Sequence, residues 1–258
     1  MGYHVRYQST DGIILDAIVE ESDMPKAVVL MLHGINADKD EEGLFRRLSN
    51  RLTSERYNSF RFDFRSHGSS GGKQKFVTIA GETEDYHASL ETIKQKWSLP
   101  VVVVAASFGA VSFLNSYTKY ANDVVQGVVL LNPVLDLKAT FLNSEFPQFK
   151  EAFSKDSFDK IEKNGYVMLD RKLKICKDFF EEIQIMRPYK NLSQIKVPVL
   201  LIHGEQDTCV PIELSAKYKS QIKRCQFIKI KNANHGFGQK IEEDEVISTV
   251  CAWLKKVI

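Results

Sequence analysis

The fold of this chain is predicted from ten consecutive residues, Val101-Val102-Val103-Val104-Ala105-Ala106-Ser107-Phe108-Gly109-Ala110. Four valines and two alanines in a row are typical of a strand covered on both faces. The apolar run stops at Ser107, and a segment of helical character, Ala110 to Tyr120, follows directly. A strand, a tight turn and a helix, with one hydroxyl at the turn, predict that Ser107 is presented as a nucleophile.

The turn reads Ala-x-Ser-x-Gly, so Ala105 stands where the usual Gly-x-Ser-x-Gly pattern has its first glycine. That glycine lets strand and helix pack closely, and alanine adds a single methyl group. We therefore expect the turn to tolerate Ala105. The alternative is that Ser107 only caps the following helix, a position that serine favours. The Ser-x-Gly fragment alone does not separate the two interpretations.

Bulk composition narrows the functional classes. The chain has 258 residues, 43% hydrophobic and 26% charged, which is ordinary for one globular α/β domain. A net charge of +2 gives no reason to expect nucleic acid or an acidic membrane surface as a partner. No integral membrane segment is expected either, because no apolar run is long enough to span a bilayer.

The N-terminus and the cysteines predict a cytoplasmic protein. The first six residues lack the apolar core of a signal peptide. Four cysteines without Cys-x-x-Cys spacing favour reduced thiols over a disulfide framework or a zinc site. They are Cys176, Cys209, Cys225 and Cys251. A monomer or a homodimer is expected.

Strand-like and helix-like runs alternate along the chain, which predicts a mostly parallel sheet flanked by helices. The first two strands, split by Thr10-Asp11-Gly12, are expected to form an antiparallel hairpin at an edge. The predicted strands are 3–8, 13–19, 27–33, 59–64, 101–106, 124–131, 199–203 and 226–230. The predicted helices are 41–56, 81–96, 108–120, 211–222 and 242–257.

One long stretch breaks this alternation. Between Asn132-Pro133 and Val197-Pro198 the chain has no clear buried strand, yet it holds many phenylalanines. A structureless loop of that length is implausible inside a compact domain. We therefore predict a mainly helical cap at residues 134–196, inserted into an α/β core made of residues 1–133 and 197–258.

Two further side chains follow predicted strands, at the sheet edge where open α/β folds bind ligands. Asp207 follows strand 199–203, and His235 follows the last strand. Each has an ordinary alternative: Asp207 as a turn residue bonded to its own backbone, and His235 as a solvated loop side chain. The order Ser, Asp, His is nevertheless the one expected for a nucleophile, an orienting acid and a general base on such a sheet.

The third strand ends at His33 and Gly34, where a glycine lets the backbone turn and aim an amide into the site. The expected donors to a developing oxyanion are the backbone N–H groups of Ile35 and Phe108. Neither role depends on the side chain, so the sequence supports both by position only.

With these motifs in place, the chain resembles the α/β-hydrolases from His33-Gly34 through His235. The segment Arg61 to Ser70 resembles the family's Asp-x-Arg-Gly-x-Gly-x-Ser turn. Within the family, the chain is most similar to the small feruloyl (cinnamoyl) esterase and monoacylglycerol-lipase-like group, partly through cap residues Lys174 to Phe180. The resemblance implies a Ser–His–Asp hydrolase with a lid, a small acyl ester as substrate and no cofactor.

The expected activity is hydrolysis of a carboxylic ester through an acyl-enzyme on Ser107. An acyl thioesterase, an acyltransferase, a serine peptidase and a non-catalytic binding module on the same fold remain alternatives. No metal is expected, because the six histidines lack His-Glu-x-x-His spacing. Structural roles are expected for His33, His67 and His203, and a packing role for Cys209.

Overall fold

A computed structural model describes residues 2–72, 77–120, 123–169 and 173–258. Residues 1, 73–76, 121–122 and 170–172, which belong to the predicted core and cap, lie outside the described residues. The strands are β1 (Tyr3–Gln8), β2 (Ile14–Glu20), β3 (Val28–Leu32), β4 (Asn58–Phe62), β5 (Val101–Ala106), β6 (Val125–Leu131), β7 (Val167–Leu169), β8 (Leu173–Ile175), β9 (Val199–Gly204) and β10 (Cys225–Ile230).

Within the described residues, eight of these strands form one sheet in the order β1-β2-β4-β3-β5-β6-β9-β10. β1 pairs antiparallel with β2, and β2 pairs antiparallel with β4. All the other neighbours in this sheet pair in parallel. The predicted edge hairpin and the mostly parallel sheet are thus confirmed.

The described helices are α1 (Leu44–Ser54), α2 (Ile79–Lys96), α3 (Gly109–Lys119), α4 (Pro147–Ala152), α5 (Lys155–Asn164), α6 (Lys177–Ile185), α7 (Ile212–Tyr218) and α8 (Lys240–Val257). Three of the five predicted helices begin and end within two residues of their predicted bounds. The helix predicted to end at residue 222 ends at Tyr218 instead. The predicted start of the first helix at residue 41 is wrong. Glu41, Glu42 and Gly43 have φ values of 45°, 53° and 98°, a left-handed backbone that a right-handed helix cannot contain.

β5 shows how the sheet is covered on both faces. Val101, Val103 and Ala105 belong to an apolar cluster with side chains of α2 and α3. The alternate residues of the strand pack in a second cluster with side chains of α1 and α8. Because successive strand residues point to opposite faces, an all-apolar run suits a strand between two helical layers. In the described residues no helix is long and apolar enough to cross a membrane.

The chain between β6 and β9 forms its own small set of elements. It contains a π-helix (Lys138–Leu142), α4, α5, a hairpin of β7 and β8, α6 and a 3-10 segment (Pro188–Gln194). The hairpin was not predicted, because each of its strands has only three residues. The phenylalanines of this segment form an apolar cluster that includes Phe108, and the rings of Phe141 and Phe179 lie 5.9 and 5.6 Å from the Phe108 ring. This segment therefore packs directly on the residue after Ser107.

Candidate active site

Ser107 lies at the sharp turn between β5 and α3. Its φ is 49°, in the left-handed region that side-chain-bearing residues rarely adopt. Its N–H donates to Leu131 O at 2.8 Å, and its carbonyl accepts from Val134 N at 3.0 Å. The turn is thus fixed on both sides, and a strained serine held this way is the geometry of a nucleophile elbow.

The two glycine positions of the elbow pattern differ in what surrounds them. A methyl group on Gly109 would lie 2.5 Å from Leu32 O and 2.7 Å from His33 O, which are rigid backbone atoms. Ala105 is fully buried, and its methyl is part of the apolar cluster above β5. The second glycine is therefore required by close packing, whereas an alanine fits at the first position.

The three side chains predicted to act together are in hydrogen-bonding contact. His235 Nε2 lies 2.9 Å from Ser107 Oγ, and His235 Nδ1 lies 2.7 Å from Asp207 Oδ2. Because a carboxylate only accepts, Nδ1 carries the imidazole proton, and Nε2 is free to accept the serine proton. Ser107 is 8% exposed and the Asp207 side chain 0%, while the His235 side chain is 24% exposed.

Asp207 is held as a carboxylate by several donors. Oδ1 accepts from the backbone N–H groups of Cys209 and Val210, both at 2.8 Å. Oδ2 also lies 3.2 Å from His203 Nε2. Burial acts to raise the pKa of Asp207, but the hydrogen bonds from His203 and His235 outweigh it and hold that pKa well below its usual range. His203 thus supports the acid, which agrees with its predicted structural role.

Asn132 is a site residue that the sequence analysis missed. Its side-chain N–H donates to the backbone oxygen of His235, and its Oδ1 accepts from Gly204 N at 2.8 Å. It therefore fixes the histidine loop to the end of β9. The position of Asn132, directly after β6 at the same sheet edge, is a signal that could have identified it.

The backbone at Gly34 approaches the nucleophile closely. A methyl group on Gly34 would lie 3.1 Å from Ser107 Cβ. Gly34 does not have a positive φ, so space rather than a special turn explains the glycine, in contrast to the predicted reason. The buried His33 braces this loop, since Nδ1 donates to Gly34 O at 2.8 Å and Nε2 accepts from Phe64 N at 3.0 Å.

The two predicted oxyanion donors belong to residues near Ser107. Phe108 follows Ser107 directly, and Ile35 lines the cavity that contains Ser107. Among the residues that the structure describes, neither amide donates a hydrogen bond to another group. Both N–H groups are therefore available to a bound substrate.

The cavity beside Ser107 has a volume of about 310 Å³. Its apolar lining is formed by Ile35, Val134, Phe141, Phe149 and Val210. Its polar lining includes Glu41, Glu42, Cys209 and His235. A larger cavity of about 870 Å³ lies among α4, α5 and β7, away from the predicted site residues.

The segment that resembles the Asp-x-Arg-Gly turn is held to neighbouring elements by ion pairs. Arg65 pairs with Asp85 at 2.7 Å and with Asp11 at 2.8 Å. His67 Nδ1 lies 2.9 Å from Arg65 O, which agrees with a structural role.

A metal ion is the other species that these side chains could hold. Ligand atoms of Asp207, Cys209 and His235 all lie within 4.8 Å of one another. A metal bound there would replace the hydrogen bond between Asp207 and His235. As it stands, the arrangement is that of a proton-transfer chain from Ser107 to His235.

Comparison with known proteins identifies the family and the fold of this chain. The model of the family described as serine aminopeptidase, S33 (Hydrolase_4) matches residues 23–171. The AB hydrolase superfamily protein YisY of Bacillus subtilis is 35% identical over 63 residues, which are 24% of this chain and 23% of that protein. The chain thus matches about a quarter of the length of this curated relative.

Two solved structures resemble the chain over nearly its full length. Est1E from Butyrivibrio proteoclasticus with ferulic acid bound has a TM-score of 0.82 and 19% identity, covering 98% of this chain and 99% of that one. The Pyrococcus furiosus esterase Pf2001 has a TM-score of 0.77 and 21% identity, and the match covers 100% of this chain and 91% of that one. At such identities the likeness establishes the α/β-hydrolase fold.

Proposed function

Because the chain belongs to the family described as serine aminopeptidase, S33, within the α/β-hydrolases, we propose that it is a carboxylesterase acting through Ser107. The family supports a hydrolase, and the ester bond and the acyl-enzyme are the finer part of the proposal. The observation that carries it is the continuous chain of hydrogen bonds from the strained Ser107 through His235 to the buried Asp207.

In the proposed reaction, His235 Nε2 takes the proton of Ser107 as Oγ attacks the ester carbonyl. A bond forms between Oγ and the carbonyl carbon, and the π electrons move onto the carbonyl oxygen. Asp207 keeps the imidazole oriented and stabilises its positive charge. His235 then gives the proton to the alcohol oxygen as the C–O bond breaks, and water releases the acid by the same steps.

The amides of Ile35 and Phe108 are the proposed oxyanion donors. They belong to the loop after β3 and to the turn after β5, and the proposal requires that a carbonyl oxygen bound beside Ser107 accepts from both. Removing one such donor costs roughly 3–4 kcal/mol of transition-state stabilisation in comparable sites. Because both are backbone groups, their contribution depends on how well the loops at Gly34 and Ser107 are held.

Residues 134–196 are proposed to act as a lid that shapes the acyl pocket. Val134, Phe141 and Phe149 of this segment form most of the apolar wall beside Ser107. A cavity of about 310 Å³ suits a small acyl or aryl group. Ferulic acid in the structurally similar Est1E supports a small aromatic acid as one candidate. A cytoplasmic location remains our proposal, supported by the four free cysteines, and a monomer or homodimer is proposed with it.

Aminopeptidase activity is a second candidate. The family description favours it, and the exposed carboxylate of Glu42 at the cavity offers a partner for a substrate ammonium group. The same acyl-enzyme would also serve a thioesterase or an acyltransferase.

The experiment combines covalent labelling with a substrate panel. A fluorophosphonate probe should label the wild-type protein and leave Ser107→Ala unlabelled. The panel contains p-nitrophenyl esters, acyl-CoAs and aminoacyl anilides. Ester cleavage should be fastest; preferential cleavage of anilides would establish the aminopeptidase instead. Ester turnover by Ser107→Ala as fast as by wild type would refute the proposed nucleophile.

A further inference from the structure

Glu41 is a cavity residue to which the proposed reaction assigns no role. Its Oε2 accepts a hydrogen bond from Gly34 N at 2.7 Å. A methyl group placed on Gly34 Cα would lie 3.4 Å from Glu41 Oε1 and 3.6 Å from Ser107 Oγ. The carboxyl group and the nucleophile therefore face the same edge of Gly34, next to the Ile35 amide.

The backbone that carries the Glu41 side chain has an unusual, left-handed conformation. Glu41 and Glu42 both have a positive φ and precede Gly43, so three consecutive residues are left-handed. Two non-glycine residues in this region cost free energy and persist only where the surroundings hold them. Here Glu41 N donates to Asp38 O at 2.9 Å, and Gly43 N donates to Asp40 O at 2.8 Å. An ordinary helix from residue 41 would remove the contact with Gly34.

The charge of Glu41 matters because the proposed reaction develops a negatively charged oxygen beside it. A carboxylate near Gly34 would repel the negative oxygen that forms at the Ile35 amide, whereas a neutral carboxyl group would not. Burial, helped by the nearby acids Glu42 and Asp38, brings the pKa of Glu41 to about 7. The Gly34 amide and His235 act in the opposite direction. Near neutral pH, an appreciable fraction of the molecules therefore carries the uncharged form.

We propose that Glu41 is a positioning residue for the oxyanion-binding backbone, which it holds through Gly34 while its own carboxyl group is uncharged. The inference rests on the proposed hydrolysis through Ser107. It implies that activity declines as Glu41 ionises, although the hydrogen-bonding chain of Ser107, His235 and Asp207 stays intact.

The kinetic test compares two variants over a range of pH. Glu41→Gln keeps the acceptor and is always neutral, so kcat should match wild type at about pH 6 and should not show the wild-type decline centred near 7. Glu41→Leu lacks the acceptor, and its kcat should fall about 10- to 100-fold with little change in KM. The matched control is Asp38→Asn, which keeps its bond to Asp40 N and leaves Glu41 in place. Because the charge of Asp38 helps to raise the pKa of Glu41, the decline should persist in this variant with its midpoint moved to lower pH.

Two kinetic results would overturn the inference. One is a loss of kcat in Glu41→Gln as large as that in Glu41→Leu, because the acceptor would then not be what matters. The other is an alkaline decline in Glu41→Gln that is identical to wild type. In both cases hydrolysis and labelling of Ser107 in the wild type would leave the proposed function standing.

An NMR titration tests the contact independently of turnover. The amide resonance of Gly34 should shift with a midpoint of about 7 in wild type and stay constant in Glu41→Gln. If the chemical shift of the Gly34 amide does not change with pH in the wild type, the role of Glu41 is refuted, whether or not the protein hydrolyses esters. A titrating resonance in a protein that cleaves no ester would instead refute only the proposed function.

Discussion

Glu182 accepts a hydrogen bond from the backbone N–H of Ile79, the first residue of α2, at 2.5 Å. Its second oxygen accepts from Ala80 N at 3.1 Å. Glu182 belongs to α6, in the segment proposed as a lid, whereas α2 belongs to the layer that covers the sheet. A negative side chain at the start of a helix also interacts favourably with the helix dipole. The segment proposed as a lid is therefore held to the core by this charged contact in addition to apolar packing.

Replacing Glu182 by alanine should loosen that junction. Two amides at the start of α2 would lose their acceptor, and we expect the free energy of unfolding to fall by about 1–3 kcal/mol. Urea denaturation measures the change, and hydrogen exchange at Ile79 and Ala80 locates it. Glu181→Ala is the control, since Glu181 is exposed and its only described ion pair is a 3.7 Å contact with Lys177. Equal losses in the two variants would contradict the prediction.

Asp207→Asn should reduce kcat by about 10⁴-fold, because the amide no longer fixes the tautomer of His235. Its effect on stability should depend on pH. The folded-state pKa of Asp207 lies below its unfolded value, so its contribution is present above the unfolded pKa and lost as pH falls through the folded one. The variant should thus be less stable than wild type at pH 7, with a smaller deficit below about pH 4. Denaturation at several pH values measures this, and a deficit independent of pH would contradict it.

Substitutions at the two positions of the elbow pattern should lower stability to different extents. Gly109→Ala places a methyl against backbone oxygens of Leu32 and His33 and should cost about 3 kcal/mol or more. Ala105→Gly restores the usual pattern, should cost only about 1–2 kcal/mol through lost burial and added chain freedom, and should keep its activity. Thermal unfolding and ester turnover test both variants. A stable and active Gly109→Ala protein would show that α3 can move away from β3.

Asn132→Asp isolates one hydrogen bond of the histidine loop. The aspartate still accepts from Gly204 N, but it cannot donate to His235 O. Two acceptors would then face each other, and we expect a loss of about 1–3 kcal/mol in stability with a lower kcat. Wild-type turnover in this variant would mean that the loop needs no support from β6.

The sequence was most informative where one local pattern determined the outcome. The valines of β5 suit only a strand covered on both faces, and the Ser, Asp and His positions follow from the shared sheet edge. It was least informative where a distant contact overrides local preference. Glu41 has the character of a helix residue, yet its backbone is left-handed and its side chain accepts from Gly34 N. Asn132 is likewise explained only by the loop and strand that it joins.

The left-handed Ser107 limits how far this chain can be stabilised while it remains reactive. At φ 49° a residue with a side chain is less favourable than glycine by roughly 1–2 kcal/mol. A sequence optimised for this backbone alone would therefore choose glycine at position 107 and discard the hydroxyl. Serine at that position is a departure from the most stable sequence, which is expected where selection acts on reactivity rather than on folding.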